Sequence, residues 1–385
     1  MPDSSLSRFL GQLVSVLRRF IDWIFGGRTR PLQFAPYGVL IAGGANDSAA
    51  VNQDIFATAE VYDPVTGTFG RTVGLMTVPR HLHAAIGLPG GKVLLTGGRS
   101  KSGLNIAEVT SAELFDPLTR RFTATGSMAE PRDAHTIAYV VGGALVTGGR
   151  NPGIASAEIY DAATGNFSAT GSLNAGRSLH TATLIRSRGS VLIWGGASGS
   201  SDGGEVYSGG GFSTTGANDS VRSHCAVALR DGRVLVVGGV STVDGSTVSD
   251  AAIFDPQTRL LTACGSLNRA RSDFTATLLT DDRVLVTGGK SHRNDNHRAL
   301  DEIEIFDPAT RVFTLDPNRR LRAKRYRHTA TALADGRVLI VGGGGNDTEP
   351  ALGSAELYDP ATGLCNYTGG MASARVEHTA TPLQR

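Results

Sequence analysis

Arginine and histidine recur together in this chain at a fixed spacing, and imidazole beside guanidinium is a pairing able to move protons or hold a metal. Arg-x-x-His occurs at Arg80/His83, Arg132/His135, Arg177/His180, Arg325/His328 and Arg375/His378. Two related segments keep an arginine, Arg222 and Arg271, with Cys225 and Phe274 at the histidine place. A ring of imidazoles would suit a metal or proton-transfer site. Repetition argues otherwise, because a residue that recurs in every structural unit serves the unit. The arginines are expected to bridge to Glu60, Glu113, Glu158, Glu205, Glu304 and Glu356, or to cap backbone carbonyls, with Ala252 breaking the series. His292, Asp295, His297 and Asp301 lie close together, but their spacing matches no rigid ligand motif and a polar loop accounts for them. Asn46-Asp47 and Asn346-Asp347 recur in two loops with too few carboxylates to hold calcium. No catalytic residue, cofactor or metal is expected.

Positive charge is concentrated in one region. Lys290, Arg293 and Arg298 lie in one segment; Arg319, Arg320, Arg322, Lys324 and Arg327 lie in another. If the fold brings the two together, the local field exceeds what a net charge of +2 implies. Such a patch suits an acidic protein segment, an anionic glycan or lipid headgroups. Tyr326 is the single aromatic among them, so nucleic acid is not an expected partner.

A repeat positions these residues. Gly-Gly closes an apolar run at Gly43-Gly44, Gly97-Gly98, Gly148-Gly149, Gly195-Gly196, Gly238-Gly239, Gly288-Gly289 and Gly342-Gly343. Spacings of 43 to 54 residues mean one supersecondary unit copied seven times, none able to bury its apolar face alone. One copy reads RYRHTATALADGRVLIVGG, a variable loop, then SAELYDPATGLCNYTGG. It holds four strand patterns punctuated by Asp335-Gly336 and by Asp359-Pro360 with Thr362-Gly363. Four antiparallel strands repeated seven times point to an all-β, seven-bladed propeller. The first Gly-Gly strand, at 38–44, lacks an HTAT strand before it, and HTATPLQR at the C-terminus lacks a Gly-Gly strand after it. The two are expected to share one blade and close the ring.

The Gly-Gly pairs, the Tyr/Phe-Asp-Pro of the third strand and the apolar residue of the fourth carry a family resemblance. The chain resembles kelch-repeat propellers of the bacterial type, in the superfamily that includes galactose oxidase, over about residues 37–385. The resemblance implies fold and leaves activity open. The copper-radical oxidases of that superfamily use a Cys-Tyr cross-link, a Tyr-His pair and a further histidine. Cys225 falls on the matching inner strand, but the cross-linking tyrosine would fall at Asp273 and the Tyr-His pair at Arg327-His328, so that chemistry is not implied. A carbohydrate-binding or enzymatic central pocket remains the alternative to a binding scaffold.

Ahead of the repeats, residues 4–25 form a predicted amphipathic helix. Phe9, Leu10, Leu13, Leu17, Phe20, Ile21, Trp23 and Ile24 lie on its broad apolar arc, opposite Arg8, Arg18, Arg19 and Asp22. The arc is too wide to stay in water. A membrane surface or a subunit of a larger complex is expected to cover it, and the two arginines and the aspartate argue against a transmembrane span. The expected organisation is a helix over 1–27, a linker over 28–36 and the propeller over 37–385. Three scattered cysteines do not form a disulfide framework, and the compartment, cytoplasmic or periplasmic, stays open. The functional expectation is a non-enzymatic scaffold that presents its loops to a protein or anionic partner, attached through the helix to a membrane surface or larger assembly.

Overall fold

A computed structural model describes residues 38–46, 53–72, 74–103, 105–150, 152–197, 203–216, 221–293, 296–345 and 351–384. The helix expected over 1–27 and the linker after it lie outside the described residues. The rest builds seven four-stranded antiparallel sheets arranged as the blades of a propeller. Every regular element among the described residues is a strand, and no helix there is long and apolar enough to cross a membrane.

The strand ending in Gly-Gly lies second from the axis in each blade. In Gly38–Ala42, Gly143–Thr147 and Ser190–Trp194 all five residues are buried. Both faces of such a strand meet neighbouring blades, which is why its sequence is a continuous apolar run without alternation. The core is correspondingly divided into seven apolar clusters, each spanning one seam between adjacent blades. The aromatic of the third strand packs on that of the fourth, as in Tyr62–Phe69 and Tyr160–Phe167, both with centroids 4.9 Å apart. The tyrosine hydroxyls then reach the preceding blade: Tyr62 to Thr368 Oγ1 at 2.9 Å and Tyr160 to Thr125 Oγ1 at 2.8 Å.

The ring closes as the sequence implied. Thr379–Leu383 pairs with Gly38–Ala42, with Leu40 opposite Thr381, so the C-terminal strand is the innermost strand of blade one. Closure pairs the inner side of Gly38–Ala42, so blade one has four strands like the others.

Charged groups hold the interior of six of the seven blades. Six arginines are fully buried and each binds the third-strand glutamate of its own blade: Arg80–Glu113 2.9 Å, Arg132–Glu158 3.0 Å, Arg177–Glu205 2.7 Å, Arg271–Glu304 2.6 Å, Arg325–Glu356 2.7 Å and Arg375–Glu60 3.2 Å. The same guanidinium donates to the carbonyl of the first Gly of the pair, as Arg132 Nη1 does to Gly148 O at 2.8 Å. The second carboxylate oxygen accepts the backbone N–H of the segment arriving from the previous blade, as Glu158 Oε2 does from Ala129 at 2.9 Å. One node thus joins three strands and the incoming linker.

Blade five shows where the sequence register needs correction. Gly196 N donates to Val221 O, as Gly98 N does to Arg132 O in its blade, so Val221 and not Arg222 holds the arginine place. His224, not Cys225, then holds the histidine place, which raises the buried repeat histidines to six. Each donates to or accepts from a threonine of the preceding blade: His83–Thr379 2.9 Å, His135–Thr96 2.8 Å, His180–Thr136 2.8 Å, His224–Thr181 2.9 Å, His328–Thr275 3.0 Å and His378–Thr329 3.0 Å. At the seam of blades five and six, Phe274 replaces the histidine and Cys225 the threonine. Both sit in one apolar cluster, with Cys225 Sγ donating to Phe274 O at 3.2 Å. Likewise Val221 and Ala252 replace arginine and glutamate together. Losing one member of a buried ion pair strands a charge, whereas losing both does not.

Two measurements follow. Arg132→Val or Glu158→Ala alone should each lower unfolding stability by about 3–5 kcal/mol, and the double variant should recover much of that loss. Denaturant titration checks it, and strictly additive losses would refute the coupling. Acid should also weaken the ring. Burial, with the charge of the adjacent arginine adding to it, pushes His135 down to about 3 and His224 down to about 4. Burial and the charges of Arg375 and Arg325 push His378 down to about 3. An unfolded imidazole takes a proton near pH 6.5, so the contribution is complete above that pH and is lost as pH falls toward 4–3. Melting temperature should hold above pH 7 and fall below about 6.5. His378→Phe with Thr329→Cys, copying the seam of blades five and six, should shallow that decline; an unchanged slope would count against the histidines.

Candidate interaction face

The variable loops after each Gly-Gly and the segments that begin each inner strand meet on one end of the ring. Antiparallel bridges join them: Ala45 with Val376, His81 with Arg99, Ser178 with Ala197, Ser272 with Lys290 and Tyr326 with Gly344. Call this end the loop face; the hairpin turns between the first two strands of each blade mark the opposite, turn face.

The residue two places after each arginine-equivalent is left-handed, with φ between 47° and 57°: Leu82, Ala134, Leu179, Ser223, Asp273, Arg327 and Glu377. A non-glycine residue resists this conformation. Here it is held by a run of six backbone bonds from blade to blade. The N–H of Leu82 donates to Glu377 O, Ala134 to Leu82 O, Leu179 to Ala134 O, Ser223 to Leu179 O, Asp273 to Ser223 O and Arg327 to Asp273 O, at 2.8 to 3.3 Å. These seven side chains surround the mouth of the central channel. Nothing in composition announces them; the signal was their constant offset inside Arg-x-x-His, visible once blade five is in register.

The mouth is chemically divided. Leu82, Ala134 and Leu179 form an apolar sector. Asp273, Arg327 and Glu377 form a charged one. Arg327 lies 3.5 Å from Asp273 and is ion-paired with Glu377. Glu377 also receives His81 Nδ1 at 2.7 Å and is almost fully buried. Burial alone would raise its carboxyl, but His81 and Arg327 outweigh burial and hold it below the usual range. Asp273, Arg327, Glu377 and His81 come from blades six, seven, one and two, so the chain of charges crosses the blade that closes the ring.

The basic residues singled out from the sequence fall into three places. Lys290 lies beside the mouth, its Nζ 3.8 Å from the centroid of the Tyr326 ring, next to Arg327 in sequence. Arg293 and Arg298 belong to a hairpin of Lys290–Arg293 with Asn296–Ala299 that rises from blade six; Arg298 is exposed, opposite Ser291. Arg319, Arg320 and Arg322 end or follow the outer strand of blade six, Val312–Arg320, the longest strand of the ring at nine residues. Arg319 pairs with Asp316 at 3.0 Å and Arg320 with Asp301 at 2.8 Å, while Arg322 Nε donates to Cys365 O of blade seven at 2.8 Å. Lys324 is exposed beside them. Arg322 therefore also latches blade six to blade seven.

Among the described residues there is no group of three or more His, Cys, Asp or Glu arranged to hold a metal ion. His292 and His297 are register partners in the blade-six hairpin, and Asp295 lies outside the described residues. Cys225 occupies a threonine place, and burial pushes its thiol up to about 12.

No protein-family model matches this sequence. An F-box/kelch-repeat protein of Arabidopsis thaliana is 31% identical over 159 residues, covering 39% of this chain and 40% of that protein. Kelch-like protein 36 of Rattus norvegicus is 30% identical over 165 residues, covering 42% of this chain and 26% of that protein. The matched region thus spans less than half the length of either relative. Among solved structures, that of YjhT superposes with a TM-score of 0.55 at 13% identity, covering 76% of this chain and 98% of that one, a likeness of fold. Seven Gly-Gly repeats and seven four-stranded blades make the chain a seven-bladed β-propeller, and over 39–42% of its length it is similar in sequence to kelch-repeat proteins.

Proposed function

We propose that this protein is a non-enzymatic scaffold whose loop face, on its blade-six and blade-seven side, binds an acidic protein partner. In the same reading, residues 1–27 attach it to a membrane surface or to a larger complex. Kelch-repeat propellers are generally protein-interaction scaffolds.

One observation carries the reading. The copies agree at the buried nodes and differ on the loop face, where blade two adds a hairpin of Arg99–Ser102 with Asn105–Glu108 and blade six adds the hairpin bearing Arg298. A rigid ring whose added hairpins gather at one end suits display. Arg298 and Lys324 are exposed there, and Lys290 and Arg327 border the mouth. Electrostatic complementarity of this kind steers encounter with an acidic surface. Cys225, the best match to a copper-radical centre, is accounted for as half of an apolar seam.

The test is cross-linking and capture with the full chain in its native host. Arg298→Glu with Lys324→Glu should reduce capture of the reproducible partners roughly tenfold and flatten its salt dependence. Arg259→Glu, on the outer turn of blade five, should leave capture unchanged. Equal capture by all three proteins would overturn the loop-face reading.

A further inference from the structure

The turn face is electrically split. In blades five, six and seven the turn between the first two strands carries an Asp-x-Arg pair: Asp231–Arg233, Asp281–Arg283 and Asp335–Arg337, each closed at 2.6 Å. Arg230 beside them is ion-paired with Asp282. These three turns are neutral and polar. The turns of blades two, three and four are of another kind. They run Leu88-Pro89-Gly90-Gly91-Lys92, Val140-Val141-Gly142 and Arg186-Ser187-Arg188-Gly189, with no acidic residue among them. Lys92, Arg186 and Arg188 are exposed. Val141, at the tip of its turn, is 92% exposed, and Tyr139 stands beside it at 36%. Gly87, Leu88, Tyr139, Val140, Leu184 and Gln384 wall a depression of about 540 Å³ between these turns. The carboxylates of the neighbouring outer turns, Asp116 and Asp161, accept N–H groups of their own turns, from Leu118 and Ala163 at 2.8 Å.

We propose that the turn face of blades two to four contacts an anionic lipid bilayer. Unbalanced lysine and arginine around a protruding valine and a half-exposed tyrosine is the chemistry of a headgroup interface: the cations meet phosphate and carboxylate groups while the apolar tip enters the acyl boundary. A soluble acidic partner would meet the charges and make no use of the apolar tips at this end, Val141 and, on the outer turns, Val65 at 92% and Leu118 at 80% exposure. The chain also enters the described ring at this face, since Gly38 pairs with Leu383, which precedes Gln384 in the wall of the depression. The inference rests in part on the membrane form of the tether reading, because one weak anchor binds reversibly and stable attachment takes two. It adds an orientation: the turn face toward the bilayer, the loop face toward the partner.

The experiment uses the full chain and vesicles of phosphatidylcholine with and without phosphatidylserine. Each lysine or arginine at an anionic surface contributes roughly fivefold in affinity. Lys92→Gln, Arg186→Gln and Arg188→Gln together should therefore weaken binding to phosphatidylserine vesicles on the order of a hundredfold, with an unchanged melting temperature. A polarity-sensitive dye on Val141→Cys should shift to the blue with those vesicles, and the same dye on Lys324→Cys should not. If wild type binds but the triple variant binds equally and the dye at 141 does not shift, the contact is overturned and the helix tether stands. If Leu13→Glu with Leu17→Glu leaves vesicle binding intact while the triple variant still abolishes it, the tether reading fails and the turn-face contact stands. Absence of binding to either vesicle overturns the contact outright.

Discussion

The fold depends on a buried guanidinium in six of its seven blades. A charge of that kind, taken out of water, is tolerable only if every donor that can be paired is paired. The node answers most of this at the two Nη groups, with the glutamate of the third strand, two backbone carbonyls and, in several blades, a serine or threonine hydroxyl, as at Arg80 with Gly97 O, Ser111 O, Ser111 Oγ and Glu113, while the Nε of five of the six arginines stays unpaired. The Gly-Gly pair is part of the same device. A Cβ on Gly97 would stand 2.8 Å from Cε1 of His135 in the next blade, and its φ of 59° suits glycine. Arginine, glutamate, glycine and histidine are thus four parts of one junction where three strands of a blade meet the inner strand of its neighbour.

That coupling explains how the repeat varies. A single change at the junction leaves a charge or a hydrogen-bonding group stranded, so changes come in pairs. Val221 with Ala252 removes both charges of one node. Phe274 with Cys225 removes both polar groups of one seam, and the apolar cluster there is the largest of the seven. Blade five is therefore held by apolar packing where the other blades use polar nodes. Cys225 has the look of a reactive centre in the sequence and turns out to be the smaller half of a hydrophobic pair.

Much of the architecture could be read from the residues because repetition made each element legible seven times over. The blade count, the four-strand unit, the Arg–Glu bridges and closure by the C-terminal strand all followed from patterns present in several copies. The misreadings arose where a copy departs. Arg222 lies one residue past the arginine place, and aligning on it displaced His224 from its register. The left-handed circuit around the mouth was invisible for a different reason. Its residues, from Leu82 to Glu377, share a backbone conformation and no side-chain type. The partners of Arg319, Arg320 and Arg322 were equally hidden, since the outer strand of blade six has no equivalent of its length elsewhere in the ring.

The same logic separates scaffold from function in the surface that remains. Positions that recur are accounted for by the junctions they build, so information about a partner is confined to positions that do not recur. On the loop face these are the hairpins of blades two and six and the charged sector from Asp273 to His81. On the turn face they are the turns of blades two to four, where the Asp-x-Arg closure of the other blades is missing. A charge that is paired within its own turn presents little net field outward; one that lacks such a pair projects it. Arg233 and Arg283 are each paired with an aspartate of their own turn, while the turn of Arg186 and Arg188 holds no acidic residue, and that difference sets the two halves of the turn face apart.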